Sequence, residues 1–169
     1  DNLALIRPIF FAHPLFTLGQ HKRLVLSQGL IDPRYRAYVE NVMWVQSGVV
    51  FVTVNLPGSD NDLVPWYGGY PKAPDPRQVA ESADRTAADV SWLNGAFALA
   101  KLLRAKGVLI GTQADMWDPA ALPKNPNDGL EGYDGFVQTL AGLAKSFKKP
   151  VLLINGDSHV YEVDKPLSA

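Results

Sequence analysis

The chain runs to 169 residues, 47% of them apolar, enough for one domain that buries roughly 70% of the surface its unfolded form exposes. With 16 basic and 17 acidic side chains, a formal net charge of −1, no basic block and no apolar run near the ~20 residues that span a bilayer, composition gives no nucleic-acid footprint and no transmembrane segment. The lack of cysteine excludes disulfides, thiolate metal sites and a Cys nucleophile, and leaves the compartment open, the extracytoplasmic and secreted spaces included.

Asp1 to Phe11 reads as a short helix, with Leu3, Ile6 and Phe10 at helical spacing. His13-Pro14 and Gly19 break the pattern, and His13 and His21 fall in an irregular stretch as loop residues. NVMWVQ and VVFVTVNL, separated by Ser47-Gly48, predict a β-hairpin whose second strand is covered on both faces. A long loop follows from about Pro57 to Pro76, carrying Trp66, Tyr67 and Tyr70. Asp75 then caps a helix that opens on Pro76, with Val79, Ala83, Val90, Leu93, Phe97 and Ala100 as its apolar stripe. Lys101, Arg104 and Lys106 suit its last turn, and Gly107 is its expected stop. GVLIGTQ reads as a buried strand. After another loop, a helix over about 133–149 presents Phe136, Leu140, Leu143 and Phe147 on one face. VLLIN reads as the next buried strand, and VYEV as one more at an edge or in a second layer.

Three buried strands joined by two helices imply parallel pairs with right-handed crossovers. Their carboxyl ends then share one edge, the place where open α/β sheets bind ligands. The turns beyond those ends are NLPGSDND, TQADMWD and NGDSH. They should deliver Gln113, Asp115, Asp157 and His159 to one crevice, beside Asn55, Ser59 and Asn61. Turns favour polar residues in any case. For Asp115 in particular, capping a short turn over Trp117 competes evenly with a role in a site. Glycine-rich phosphate loops are absent.

The run VLLINGDSHVYEVDKPL at 151–167 resembles the end of the calcineurin-like metallophosphoesterases, more narrowly a bacterial branch with a GDSH turn followed by VDKP. LALIRPIFF, VVFVTVNLPGSDND and GTQADMWD resemble earlier pieces of the same branch in the same order. The resemblance implies a layered αββα sandwich and two divalent metal ions of the Mn, Fe, Zn or Ca class. It also implies hydrolysis of phosphate mono- or diesters, the metals clamping the phosphate and supplying hydroxide. By order in the chain, His159 matches the second histidine of the family's Gly-His-x-His turn, a metal ligand. Asp157 replaces the first, and Gln113 falls where a lone histidine turn belongs. The match makes Asp157, His159 and Gln113 the catalytic and metal-ligating candidates, with Asp157 and Gln113 alternatively orienting or contacting substrate. Asn55, Ser59, Asn61 and Asp115 become substrate contacts. The family's first three motifs (Asp-x-His, Gly-Asp-x-x-Asp and Gly-Asn-His) are absent upstream. The resemblance is therefore to the carboxyl-terminal half, one partial domain over 1–169. The expectation is that a partner chain or further segment completes any two-metal site.

Two other readings compete. A non-catalytic structural or protein-interaction module would keep the fold without the chemistry, with Trp44, Trp66, Tyr67 and Tyr70 as interface or packing residues. A serine esterase built on Gly156-Asp157-Ser158 lacks a later histidine to complete its triad.

Overall fold

The computed structural model describes residues 2–65, 73–117 and 131–167. Trp66, Tyr67 and Tyr70 lie outside those residues. The chain is mixed α/β, with one five-stranded sheet in the order β1-β2-β3-β4-β5. Helix α1 (Asn2–Phe10) and a Phe16–Leu24 bridge precede β1 (Leu26–Ser27) and α2 (Gln28–Ile31). His13 and His21 are exposed in this irregular stretch, as expected.

β2 (Val42–Gln46) and β3 (Val49–Thr53) form the expected hairpin, with Gln46 opposite Val49. Ser47 and Gly48 both have positive φ, 53° and 80°. This is the pattern of a two-residue primed turn, whose twist matches that of the strands it joins. Beyond β3 the chain makes a one-turn left-handed helix, α3 (Gly58–Asp62), and then α4 (Pro76–Leu102), β4 (Gly107–Gly111), α5 (Asp134–Phe147) and β5 (Val151–Ile154). β3, β4 and β5 are parallel neighbours, so the crossover argument holds and their carboxyl ends share an edge.

The core lies on one face of this sheet. Val50, Val52, Val108 and Ile110 pack against Trp92, Leu93, Ala96, Phe97 and Ala100 of α4 and Phe136, Leu140 and Phe147 of α5. The Phe97 and Phe147 rings meet edge to face at 5.6 Å. On the opposite face, paired register aligns Trp44, Phe51, Leu109 and Leu152 in a row. The first two stack at 5.1 Å. Neither α4 nor α5 covers this row.

Five expectations need correction. β3 is not covered on both faces: Val50 and Val52 are buried under the helices, but Val49, Phe51 and Thr53 on the other face are only half-buried. α4 ends at Leu102, not at Gly107, because Arg104 itself takes the left-handed conformation, φ 51°. Ala105 N–H then bonds Ala100 C=O at 2.8 Å and Arg104 N–H bonds Lys101 C=O at 3.1 Å, which is the Schellman closure; Gly107 begins β4. The stripe on α4 is apolar only in its second half. Val79 and Ala83 are exposed, and Gln78, Ser82, Arg85 and Asp89 face inward instead. β5 is an edge strand, with Leu152 and Ile154 more than half exposed, so it is not buried on both faces. VYEV forms no strand pairing among the described residues, and Tyr161 is 94% exposed.

Candidate functional site at the carboxyl edge of the sheet

Backbone bonds lace the three parallel strand ends together. Ala114 N–H donates to Leu56 C=O at 2.9 Å, Thr112 N–H to Ile154 C=O at 3.0 Å, and Gly156 N–H to Gln113 C=O at 3.1 Å. The turn after β4 is thus clamped between the turns after β3 and β5.

The Gln113 side chain spans the same two neighbours. Its Oε1 accepts from Gly58 N–H at 2.5 Å, and its Nε2 donates to Asp157 Oδ1 at 2.9 Å. The Asp157 carboxylate lies directly on Gly58: a Cβ added there would sit 2.3 Å from Asp157 Oδ2. A larger residue here would have to push the exposed Asp157 carboxylate aside; the fit comes from close approach, not from backbone angles. Asp157 has φ 73° and His159 φ 58°, so the GDSH turn is coiled tightly through left-handed residues.

The other sequence candidates go different ways. Asp115 Oδ1 accepts from Trp117 N–H at 3.1 Å, so it caps its own turn. His159 is exposed, and its imidazole forms no hydrogen bond with the described residues. Ser59 is exposed at the start of α3. Asn61 is buried and fully engaged: its Nδ2 donates to Thr86 Oγ1 and Gly132 C=O, both at 2.8 Å, and its Oδ1 accepts from Arg85. That side chain holds the turn and has no free polar atom for a substrate. Asn55 donates from Nδ2 to Glu40 Oε1 at 2.9 Å. Glu40 in turn takes both arms of the Arg7 guanidinium, at 3.0 and 2.6 Å. These three line a cleft of about 250 Å³ with Ile6, Phe11 and Val54.

Among the described residues, no three His, Asp or Glu side chains converge on a point where a cation could sit. Asp157 and His159 supply one carboxylate and one imidazole on the same turn. That is fewer donors than a divalent site takes. The residues present do not by themselves fit a two-metal centre.

Sequence reasoning missed what holds α3. All four residues Ser59–Asp62 have φ between 54° and 63°. A left-handed turn in L-residues costs roughly 1–2 kcal/mol per residue. Buried polar groups of α4 offset this. Arg85, 1% exposed, donates to Asn61 C=O at 3.1 Å and Asn55 C=O at 3.4 Å, and pairs with Glu81 at 2.9 Å. Ser82 Oγ donates to Asn61 C=O, and Gln78 Nε2 to the carbonyls of Asp62 and Val64. From the other side Gly132 N–H donates to Asp60 Oδ1 and Tyr133 O–H to Pro57 C=O, both at 2.9 Å. Burial raises the Tyr133 phenol pKa, with the Asp60 and Asp157 carboxylates adding to the effect.

A second buried group continues from Arg85. Asn41 Nδ2 donates to Gln28 Oε1 and to Asp89 Oδ1, both at 2.8 Å, and Asn41 Oδ1 accepts from Asn55 N–H at 2.9 Å. Burial pushes the Asp89 carboxyl up to about 8, against the pull of Asn41 and Arg85. Its Oδ2 is buried with no hydrogen-bond partner among the described residues, which adds to the cost of ionising the group. The spacing of Gln78, Ser82, Arg85, Asp89 and Trp92 was the available signal: it is as helical as the apolar stripe that continues it.

Comparison with protein-family models, curated proteins and solved structures gave no match.

Proposed function

We propose that the chain is the carboxyl-terminal half of a phosphate-ester hydrolase domain, and that its sheet is one layer of a two-sheet αββα sandwich. The observation that carries the reading is the Gln113 amide, which ties the turn after β3 at Gly58 to the turn after β5 at Asp157, two residues before His159. Two further points support it. The motif order resembles that of the calcineurin-like metallophosphoesterases, and the row Trp44–Phe51–Leu109–Leu152 is an apolar sheet face of the kind a second sheet covers. The part of the domain with the remaining donors would complete the site. In this reading Asp157 and His159 are the donors this half contributes, and Gln113 orients Asp157.

The test uses amide and side-chain NMR of the chain with Mn²⁺ as a paramagnetic probe. Broadening should centre on Gly58, Gln113, Asp157 and His159, with weak affinity, and vanish in Asp157→Asn and His159→Ala. The chain alone should not hydrolyse 4-nitrophenyl phosphate. Broadening centred elsewhere, or hydrolysis that survives His159→Ala, sinks the reading. The same fold serving as a non-catalytic interaction module is the outcome indicated by no broadening at this edge together with a stable complex formed through the bare sheet face.

A further inference from the structure

The charges are segregated by pole, although they nearly cancel over the chain. No acidic residue occurs from Val90 to Ala114 or from Gly135 to Gly156. α4 and α5 both run against the strands they connect, so both helices end at the amino edge of the sheet, opposite the Gln113 crevice. There Lys101, Arg104, Lys106, Lys145, Lys148 and Lys149 gather, all exposed. Direct contacts show that they form one surface. Lys101 Nζ donates to Ser146 Oγ at 3.2 Å across the two helices, and Lys149 Nζ to the carbonyls of Arg104 and Ala105 at 3.3 and 2.6 Å. Lys106 N–H bonds Gly48 C=O at 2.7 Å and brings in the tip of the β2–β3 hairpin. None of the six forms an ion pair among the described residues.

One or two cations at each helix end answer the macrodipole. Six on two acid-free segments, none of them ion-paired among the described residues, exceed that need and leave excess positive charge at this pole. Among these cations the sequence places Leu102 and Leu103, 78% and 51% exposed. The Schellman closure at Arg104 turns the chain there and leaves both leucines without cover. Cations ringing exposed aliphatic side chains are the chemistry of an interface with acidic lipid: the cations meet headgroups while the leucines enter the acyl boundary. A single-stranded nucleic-acid surface would want stacking aromatics between the cations, and duplex DNA would make no use of the leucines this pole presents.

We propose that the amino-edge pole is a peripheral docking surface for anionic membrane. Docked this way, the Gln113 crevice faces away from the bilayer, open to water. The inference stands apart from any reading of that crevice.

The test is co-sedimentation of the whole chain with vesicles of phosphatidylcholine containing about 30% phosphatidylserine, against pure phosphatidylcholine vesicles and against duplex DNA. Binding is expected to the acidic vesicles only, and to be lost at about 0.5 M salt. Each cation near an acidic surface contributes about fivefold, so Arg104→Ala/Lys106→Ala/Lys148→Ala should weaken binding by about 100-fold. Leu102→Asn/Leu103→Asn should weaken it at least tenfold. Leu102 is mostly and Leu103 half in solvent, so circular dichroism of that variant should stay unchanged and its melting temperature should shift only slightly; it serves alone if the charge variant fails to fold. No binding to acidic vesicles, equal binding to neutral ones, or DNA binding of the same strength that ignores the leucine change each overturns the proposal.

Discussion

Replacing Asp89 with Asn should make the protein more stable, and more so as pH rises. Asp89 is fully buried, with its carboxyl raised from the usual 3.8 to about 8. Between those values the folded chain holds a proton that the unfolded chain releases. The sign follows: stability falls as pH rises through this window, and levels off above the folded value. The slope is about 1.4 kcal/mol per pH unit, so holding the carboxyl neutral costs about 4 kcal/mol at pH 7. The amide of Asn copies the protonated acid in shape and charge. It keeps an oxygen for Asn41 Nδ2 and puts its NH2 where the unpartnered Oδ2 stands. The charged groups that face Asp89, Arg85 on its own helix and Glu40 from the segment before β2, act on the carboxylate in opposite directions and are part of what sets its folded value. Urea unfolding of both from pH 5 to 9 measures it. The advantage of Asn should grow by about 1.4 kcal/mol per unit up to about pH 8 and then flatten. A pH-independent difference, or an Asn variant less stable at pH 7, would refute the reasoning.

Two further outcomes follow from the site geometry. Gly58→Ala forces the Asp157 carboxylate off Gln113 Nε2 and should cost about 1 kcal/mol; in an Asp157→Ala background the same change should cost close to nothing, as a double-mutant cycle by urea unfolding would read. Arg85→Met strips Asn61 and Asn55 of buried donors, leaves the left-handed turn unsupported and should cost about 3 kcal/mol, with hydrogen exchange rising first in residues 59–63.

The sequence made the central topology legible because hydrophobic period and turn chemistry agreed there. Two β-rich runs about Ser47-Gly48 could only be a hairpin, and two long helices between apolar strands fixed the parallel order. Of the four residues that order was expected to bring together, Gln113 and Asp157 meet, Asp115 caps its own turn and His159 bonds to neither. Other parts resisted for physical reasons. Reading α4 through apolar residues alone hid its buried polar half, where Arg85 and Asp89 occupy core positions that hydrophobicity assigns to solvent. Non-glycine residues in left-handed conformations, Arg104 and Lys148 at helix ends and Ser59–Asp62 in α3, leave no mark that composition reveals. VYEV has the alternation of a strand, but alternation makes a strand only where a neighbour exists to share its bonds. Asn61, expected as a substrate contact, is a structural tie with its polar atoms engaged; a buried amide and an exposed one look alike in a sequence.

The left-handed turn ties its stability to distant parts of the chain. Its own residues oppose its shape, and the groups that hold it come from later in the sequence: the side chains of Gln78, Ser82, Arg85 and Thr86 in α4, and the Gly132 backbone and Tyr133 hydroxyl before α5. The turn therefore depends on both helices being seated on the sheet. Gly58 stands at its head and donates to Gln113, so that bond reports on the docking of two helices whose far ends lie at the opposite side of the molecule.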